Sequence, residues 1–129
     1  MTKLERSFAV KRTTSGLGLF TLTPITKGRR IVEYIGRLLS SLEADSHGGK
    51  YLFGFGKGLT IDGSARSNIA RYINHSCNPN AEALYSGRRI WIYAKRALAS
   101  GEAITIDYGN EYFETFIKPK GCRCNDCLV

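Results

Sequence analysis

The chain lacks the features that mark several broad classes of protein. No apolar run approaches the roughly 20 residues that a helix needs to cross a bilayer, so no membrane partner is expected. The opening hexapeptide Met1 to Arg6 leads into no apolar signal core, and a soluble intracellular protein is expected. Only three prolines interrupt the 129 residues, and neither an internal repeat nor a low-complexity tract occurs. No Lys or Arg stands between Glu102 and Ile117. Strand-like segments do not alternate with helices, which argues against a doubly wound parallel sheet.

What is present fits one folded domain. Hydrophobic residues make up 43% of the chain, enough for a real core, and charged residues 23%, an ordinary globular share. The net charge of +8 taken alone favours an anionic partner such as nucleic acid. That charge is unevenly spread. The stretch lacking Lys and Arg carries Glu102, Asp107, Glu111 and Glu114, which makes it an acidic segment on a basic body. It reads either as a site for a cationic side chain or as a solvated surface.

The four cysteines are Cys77, Cys122, Cys124 and Cys127, three of them in the last eight residues. With no secretory signal and a chain long enough to fold unaided, reduced thiols are expected. A Cys-x-Cys-x2-Cys cluster is awkward for internal disulfides, whose Cα atoms prefer a separation of about 5.5 Å. It is well spaced to wrap a tetrahedral Zn2+ with Cys77 as fourth ligand. Disulfides or uncoordinated thiols are the competing reading.

Short β-prone segments with close turn signals predict a β-rich α+β domain. Phe8 to Arg12 and Leu19 to Leu22 read as strands separated by a glycine-bearing turn, and Ile31 to Ile35 as a β-branched strand. Residues 37–49, with Leu38, Leu39 and Leu42 ahead of Gly48-Gly49, read as a helix. Tyr51 to Phe55 and Leu59 to Asp62 form a hairpin pair. Asn68 to Ile73 is a helical turn, followed by a polar loop over 74–80. Ala83 to Tyr85 and Arg89 to Ala94 form a second hairpin around Ser86-Gly87. Ile104 to Gly109 reads as a strand and Glu111 to Ile117 as a short helix.

Three fragments carry candidate chemistry. Gly16-Leu17-Gly18 lets a backbone approach a ligand or simply makes a turn. It lacks the third glycine and the following helix of a dinucleotide fingerprint. The run from Arg71 to Asn80 crowds polar side chains into a loop with an Asn-Pro turn signal. Cys77 beside His75 invites a nucleophilic reading, but the tail cysteines favour metal ligation. Gly101 to Gly109 ends in Asp107-Tyr108-Gly109, where Tyr108 either presents its hydroxyl to a pocket or serves the core.

In this order and spacing the fragments resemble the SET-domain family of protein lysine methyltransferases. The resemblance runs from about Arg6 to Cys127. It rests on Ser15 to Phe20, Gly28 to Gly36, Tyr51-Leu52-Phe53, Ile61-Asp62, Asn68 to Asn80, Gly101 to Gly109 and Cys122 to Cys127. It implies a SET domain over 1–117 and a post-SET zinc segment over 118–129. The implied fold is a β-clip of small curved sheets with a C-terminal pseudoknot, in which the segment bearing Tyr108 threads near Asn74-His75. Such threading is rare in proteins.

The resemblance also implies cofactors and roles. S-adenosylmethionine would lie along Gly16, Leu17 and Gly18, with hydrogen bonds from Asn74 and His75, and Leu128 would cover the adenine. Tyr108 would be the catalytic tyrosine, with Tyr51 beside it and next to the cofactor. Tyr51, Ile106 and Tyr108 would line a lysine channel, and Cys77, Cys122, Cys124 and Cys127 would hold Zn2+. The implied partner is a protein presenting a lysine, a histone or other basic tail among them. The location would be cytoplasmic in a prokaryote and nuclear in a eukaryote or virus.

Four departures from the family pattern stand out. Ile106 replaces the Phe or Tyr often found two residues before the tyrosine, which leaves the number of methyls added open. The last cysteine spacing is x2 rather than the commoner x4. The segment before Gly16 and the insert between Gly36 and Asn74 are both short. Two competing readings are a SET fold without turnover, acting as a zinc-stabilised adaptor for nucleic acid or protein, and a basic nucleic-acid-binding zinc protein.

Overall fold

The computed structural model describes residues 7–14, 16–40, 52–54 and 59–107. The predicted helix over 111–117 and the cysteine tail lie outside these residues.

Strands β1 (Phe8–Thr13) and β2 (Gly16–Thr21) form an antiparallel hairpin in continuous register from Phe8 opposite Thr21 to Thr13 opposite Gly16. The glycine segment therefore belongs to a strand, where the sequence predicted a turn running into one. Its φ of +105° lets Gly16 re-enter the strand directly after the bend. The Thr13 hydroxyl donates to the Gly16 carbonyl at 2.9 Å and ties that corner.

Strand β3 (Arg30–Tyr34) is an edge of one three-stranded sheet, and β4 (Arg37–Ser40) an edge of another. In the second sheet β6 (Leu59–Asp62) lies centrally between β4 and β5 (Leu52–Gly54), all antiparallel. The predicted hairpin of the two latter segments is present. The predicted helix over 37–49 is not what its first residues form. Pairing of Leu38 with Ile61 and Leu39 with Thr60 makes 37–40 a strand, and residues 41–50 lie outside the described set. Tertiary pairing with a β-branched partner outweighs the weak helical preference of Arg-Leu-Leu-Ser.

A single 3-10 turn, Ile69–Tyr72, falls within the predicted helical turn. It is anchored by Asn68, which is fully buried. The Ile35 amide donates to Asn68 Oδ1 at 3.1 Å, and Asn68 Nδ2 donates to the Gly63 carbonyl at 3.0 Å. One carboxamide thus joins the end of β3, the end of β6 and the turn. A buried amide satisfied in this way avoids a desolvation cost of about 1–3 kcal/mol.

Two residues beyond the turn, β7 (Asn74–His75) pairs in parallel with β10 (Thr105–Ile106), Asn74 opposite Thr105 and His75 opposite Ile106. The predicted polar loop over 74–80 therefore begins as a strand. Between these short strands, β8 (Ala81–Ser86) and β9 (Arg89–Ala94) form the predicted hairpin, turning at Gly87 with φ +61°. Strand β9 sits between β3 and β8 in the first sheet.

The core follows from strand periodicity. On β9, Ile90, Ile92 and Ala94 are buried on one face, while Trp91 and Tyr93 stand on the other. Leu19, Val32, Tyr34, Ile61, Ile73, Leu98, Ile104 and Ile106 belong to the same cluster, which joins all the sheets. Burying each such aliphatic side chain contributes about 1.5–3 kcal/mol. On the outer face the Arg30 guanidinium lies 4.1 Å from the Trp91 ring centroid and donates to the Tyr93 hydroxyl. Among the described residues no helix is long and apolar enough to cross a membrane.

Candidate functional site

Strands β2, β7 and β10 converge, and they bring together candidate residues that lie far apart in the chain. Asn74 Nδ2 donates to the Leu17 carbonyl at 3.0 Å and reaches Thr13 Oγ1 at 3.4 Å. Gly18 permits this approach. A Cβ there would sit 2.8 Å from Thr13 Cγ2 and 3.1 Å from Asn74 Nδ2. Gly16 is different, since a Cβ there would meet nothing within 4 Å and only its positive φ demands glycine. The Leu17 side chain is 49% exposed. The result is an open strip of backbone at Gly16-Leu17, with an accessible apolar side chain on it and a carboxamide bracing it from β7.

The His75 ring is buried and lies between two groups. Cys77 Sγ is 3.5 Å from Nε2, and Asp107 Oδ1 is 3.8 Å from Nδ1. Burial holds the imidazole below its ordinary pKa of 6.5, and the nearby Asp107 carboxylate opposes this more weakly. The net shift favours the uncharged imidazole. Neither separation is a short, charge-assisted bond of the kind that activates a nucleophile. Backbone pairing fixes the residue more firmly: His75 stands opposite Ile106, and the Ser76 amide donates to the Ile106 carbonyl at 3.0 Å. Ile106 itself is buried in the core cluster.

The approach to β10 is held by residues whose function the sequence did not disclose. Asn80, 4% exposed, accepts the Thr105 amide on Oδ1 at 2.9 Å and donates from Nδ2 to the Ala103 carbonyl at 2.7 Å. Nδ2 also lies 3.1 Å from Glu102 Oε2, and the Asn80 amide donates to Thr105 Oγ1 at 3.2 Å. Glu102 in turn accepts from Arg96 and from the Ala99 amide. The Arg96 guanidinium, followed by the Ala99 and Asn80 donors, holds the Glu102 carboxyl below its ordinary range, against an opposing desolvation effect. The sequence groups Glu102 with Asp107 in one acidic segment; Glu102 is engaged within the fold, and Asp107, which faces His75, is 60% exposed. The available signal was Asn80 closing the Asn78-Pro79-Asn80 turn, which says nothing of its distant partners.

Cys77 is exposed in the loop after β7. Among the described residues no three His, Cys, Asp or Glu side chains cluster to hold a metal. The predicted partners Cys122, Cys124 and Cys127 lie outside the described residues, as do Tyr51, Tyr108 and Leu128. Asp107, the last described residue, immediately precedes Tyr108 in the chain.

The family description "SET domain" matches residues 16–109. The chain is 38% identical over 105 residues to the histone-lysine N-methyltransferase, H3 lysine-4 specific, of Schizosaccharomyces pombe, covering 71% of this chain and 11% of that protein. It is 34% identical over 123 residues to the histone-lysine N-methyltransferase SETD1 of Drosophila melanogaster, covering 82% and 8%. With the histone-lysine N-methyltransferase ash1 of the same organism it shares 36% identity over 126 residues, covering 85% and 5%. The chain thus spans about a tenth or less of the length of these relatives.

Proposed function

Because the chain belongs to the SET-domain family, we propose that it is a protein-lysine N-methyltransferase using S-adenosylmethionine, with a histone tail or another basic protein segment as acceptor. The observation that carries this reading is the convergence of Gly16-Leu17-Gly18, Asn74-His75 and Thr105-Ile106 at one junction, with Tyr108 next but one after Ile106. The relatives' names supply the acceptor class.

The residues present fit the methyl donor. The backbone beside Gly16 is open, Leu17 offers apolar contact, and the Asn74 carboxamide and the β7 backbone offer polar groups. When bound, S-adenosylmethionine supplies an electrophilic methyl on a sulfonium sulfur. In this reading Gly18 keeps Asn74 close to the strip. Tyr108 orients the acceptor nitrogen, and Tyr51 and Ile106 wall its channel. A free lysine has a pKa of about 10.4, so an apolar channel would favour the neutral amine that attack requires. Holding that nitrogen in one fixed position would supply much of the acceleration. A phenol of pKa about 10 is a weak base at neutral pH, so Tyr108 is assigned orientation before proton handling.

The four thiols form a donor set suited to tetrahedral Zn2+. Cys77, exposed just after β7, would join Cys122, Cys124 and Cys127 and bring the tail against the junction. The metal's part would be structural, completing the wall beside Tyr108, and the threading of this segment past Asn74-His75 belongs to the same proposal. The basic charge needs no nucleic-acid partner at every position, since Arg30 is engaged by Trp91 and Tyr93 and Arg96 by Glu102.

The test is incubation of the purified chain with methyl-labelled S-adenosylmethionine and core histones, followed by mass mapping. Label on lysine side chains is the expected result. Donor binding without transfer to histones or to a cell lysate would support the adaptor reading instead.

A further inference from the structure

We propose that Asn80 is a positioning residue for methyl transfer, its side-chain amide standing in for a neighbouring strand that sets the path of the chain into β10 and so the placement of Tyr108. The inference rests on the reading of Tyr108 given above. Its geometry is independent of that reading.

A residue in a parallel sheet donates its N–H to one carbonyl of the adjacent strand and accepts the amide two residues further on. The Asn80 carboxamide reproduces this pattern on 103–105, with Nδ2 donating to the Ala103 carbonyl and Oδ1 accepting the Thr105 amide. The segment is held elsewhere by β2, where the Ile104 amide donates to the Leu19 carbonyl at 2.9 Å. Main-chain pairing with β7 begins only at Thr105. Asn80 thus supplies a partner just before that pairing starts.

The other polar atoms of Asn80 are also committed. Its amide donates to Thr105 Oγ1, and its carbonyl accepts the Lys95 amide at 2.9 Å. Both ends of the carboxamide are therefore fixed by their partners, and only a side chain that donates and accepts meets both. Aspartate has nearly the same shape but would turn a carboxylate oxygen toward the Ala103 carbonyl and toward Glu102 Oε2. Burial magnifies that mismatch, because no water replaces the lost donor.

The consequence lies three residues on. Thr105 is clamped by Asn80, and Tyr108 comes three residues later in the chain, so the proposal is that a shift of the clamp carries through to Tyr108. The donor strip itself is braced by Asn74 against Leu17, an interaction Asn80 does not share. The two substitutions Asn80→Asp and Asn80→Ala should therefore lower kcat selectively and leave donor binding largely alone.

The experiment measures initial rates on core histones with labelled S-adenosylmethionine, donor KM, thermal midpoint and amide exchange at Thr105, for the wild type, Asn80→Asp and Asn80→Ala. Since a 1 Å misplacement can cost about 100-fold, kcat is expected to fall about 10- to 100-fold in Asn80→Asp, with donor KM within about threefold. Thr105 exchange should accelerate in Asn80→Ala. Unchanged kcat, a loss shared equally with donor KM, or unchanged Thr105 exchange would overturn the proposal. Should Asn80→Asp fail to fold, Thr105→Val removes only the hydroxyl that accepts the Asn80 amide and must show a smaller loss of the same selective kind. Unaltered kcat in that variant would also overturn it. A wild type that transfers no methyl would sink the underlying reading, whereas an active wild type with an equally active, folded Asn80→Asp sinks this inference alone.

Discussion

His75 stands beside Ile106 in a two-residue parallel pairing, although the whole β8–β9 hairpin separates them in the chain. This pairing sets a motif rich in polar groups against the strand that leads to Tyr108. It makes the site a junction of backbones, in which the named side chains are placed by short stretches of main-chain hydrogen bonding.

Tyr108→Phe removes one hydroxyl two residues beyond Ile106 in the chain. Donor affinity, measured by calorimetric titration, should change by less than about threefold, while kcat falls about 100-fold or more. Undiminished turnover in the variant would remove Tyr108 from the chemistry.

The two site glycines should respond differently to alanine. At Gly18 the new methyl meets Thr13 and Asn74, so the variant should lose about 1–3 kcal/mol of stability and bind the donor less tightly. At Gly16 there is space but the φ is +105°, so Gly16→Ala should cost about 1–2 kcal/mol of backbone strain. Denaturant unfolding and donor titration on both variants separate the effects. Equal donor affinities in the two variants would contradict the bracing role of Gly18.

Zinc should be found in the purified protein by metal analysis. Its removal by a chelator should lower the thermal midpoint and weaken donor binding together, because the proposed ligand set would connect Cys77 to Cys122, Cys124 and Cys127. Cys77→Ser should do the same without a chelator. Protein free of metal, with donor binding indifferent to the chelator, would contradict the zinc assignment.

Acid should weaken the fold partly through Glu102. Its folded carboxyl ionises below the ordinary glutamate value of 4.5, so in that window the unfolded chain binds more protons. The stabilisation is complete above the ordinary value and is lost as pH falls through the depressed one. Glu102→Gln should be less stable at neutral pH and show a shallower loss of stability below pH 4.5, as measured by denaturant unfolding across pH. A parallel pH dependence in both proteins would show that Glu102 does not contribute this effect.

Much of the strand framework was legible in the sequence because periodicity is local. The alternation of Ile90, Ile92 and Ala94 against Trp91 and Tyr93 is visible in six residues, and so is the turn at Gly87. Residues 37–40 misled because Arg-Leu-Leu-Ser has no decisive local preference and its strand partner at 59–62 is distant. The pairing of Asn74-His75 with Thr105-Ile106 was hidden for the same reason. It is parallel, and Asn74-His75 open a run whose polar side chains resemble a loop. Asn80 and Glu102 were visible as members of motifs, but their bonds to each other and to 103–105 depend on the closed fold. Gly18 was singled out for closeness to a ligand, and the structure adds a second demand, closeness to Thr13 and Asn74.

The most direct test of the account is amide exchange of the full chain with and without S-adenosylmethionine. Slowed exchange at 16–18, 74–76 and 105–106, with the outer sheet amides of Trp91 and Tyr93 unchanged, is the predicted result. Saturating donor that leaves those three segments unprotected, or protects the outer sheet instead, would contradict it.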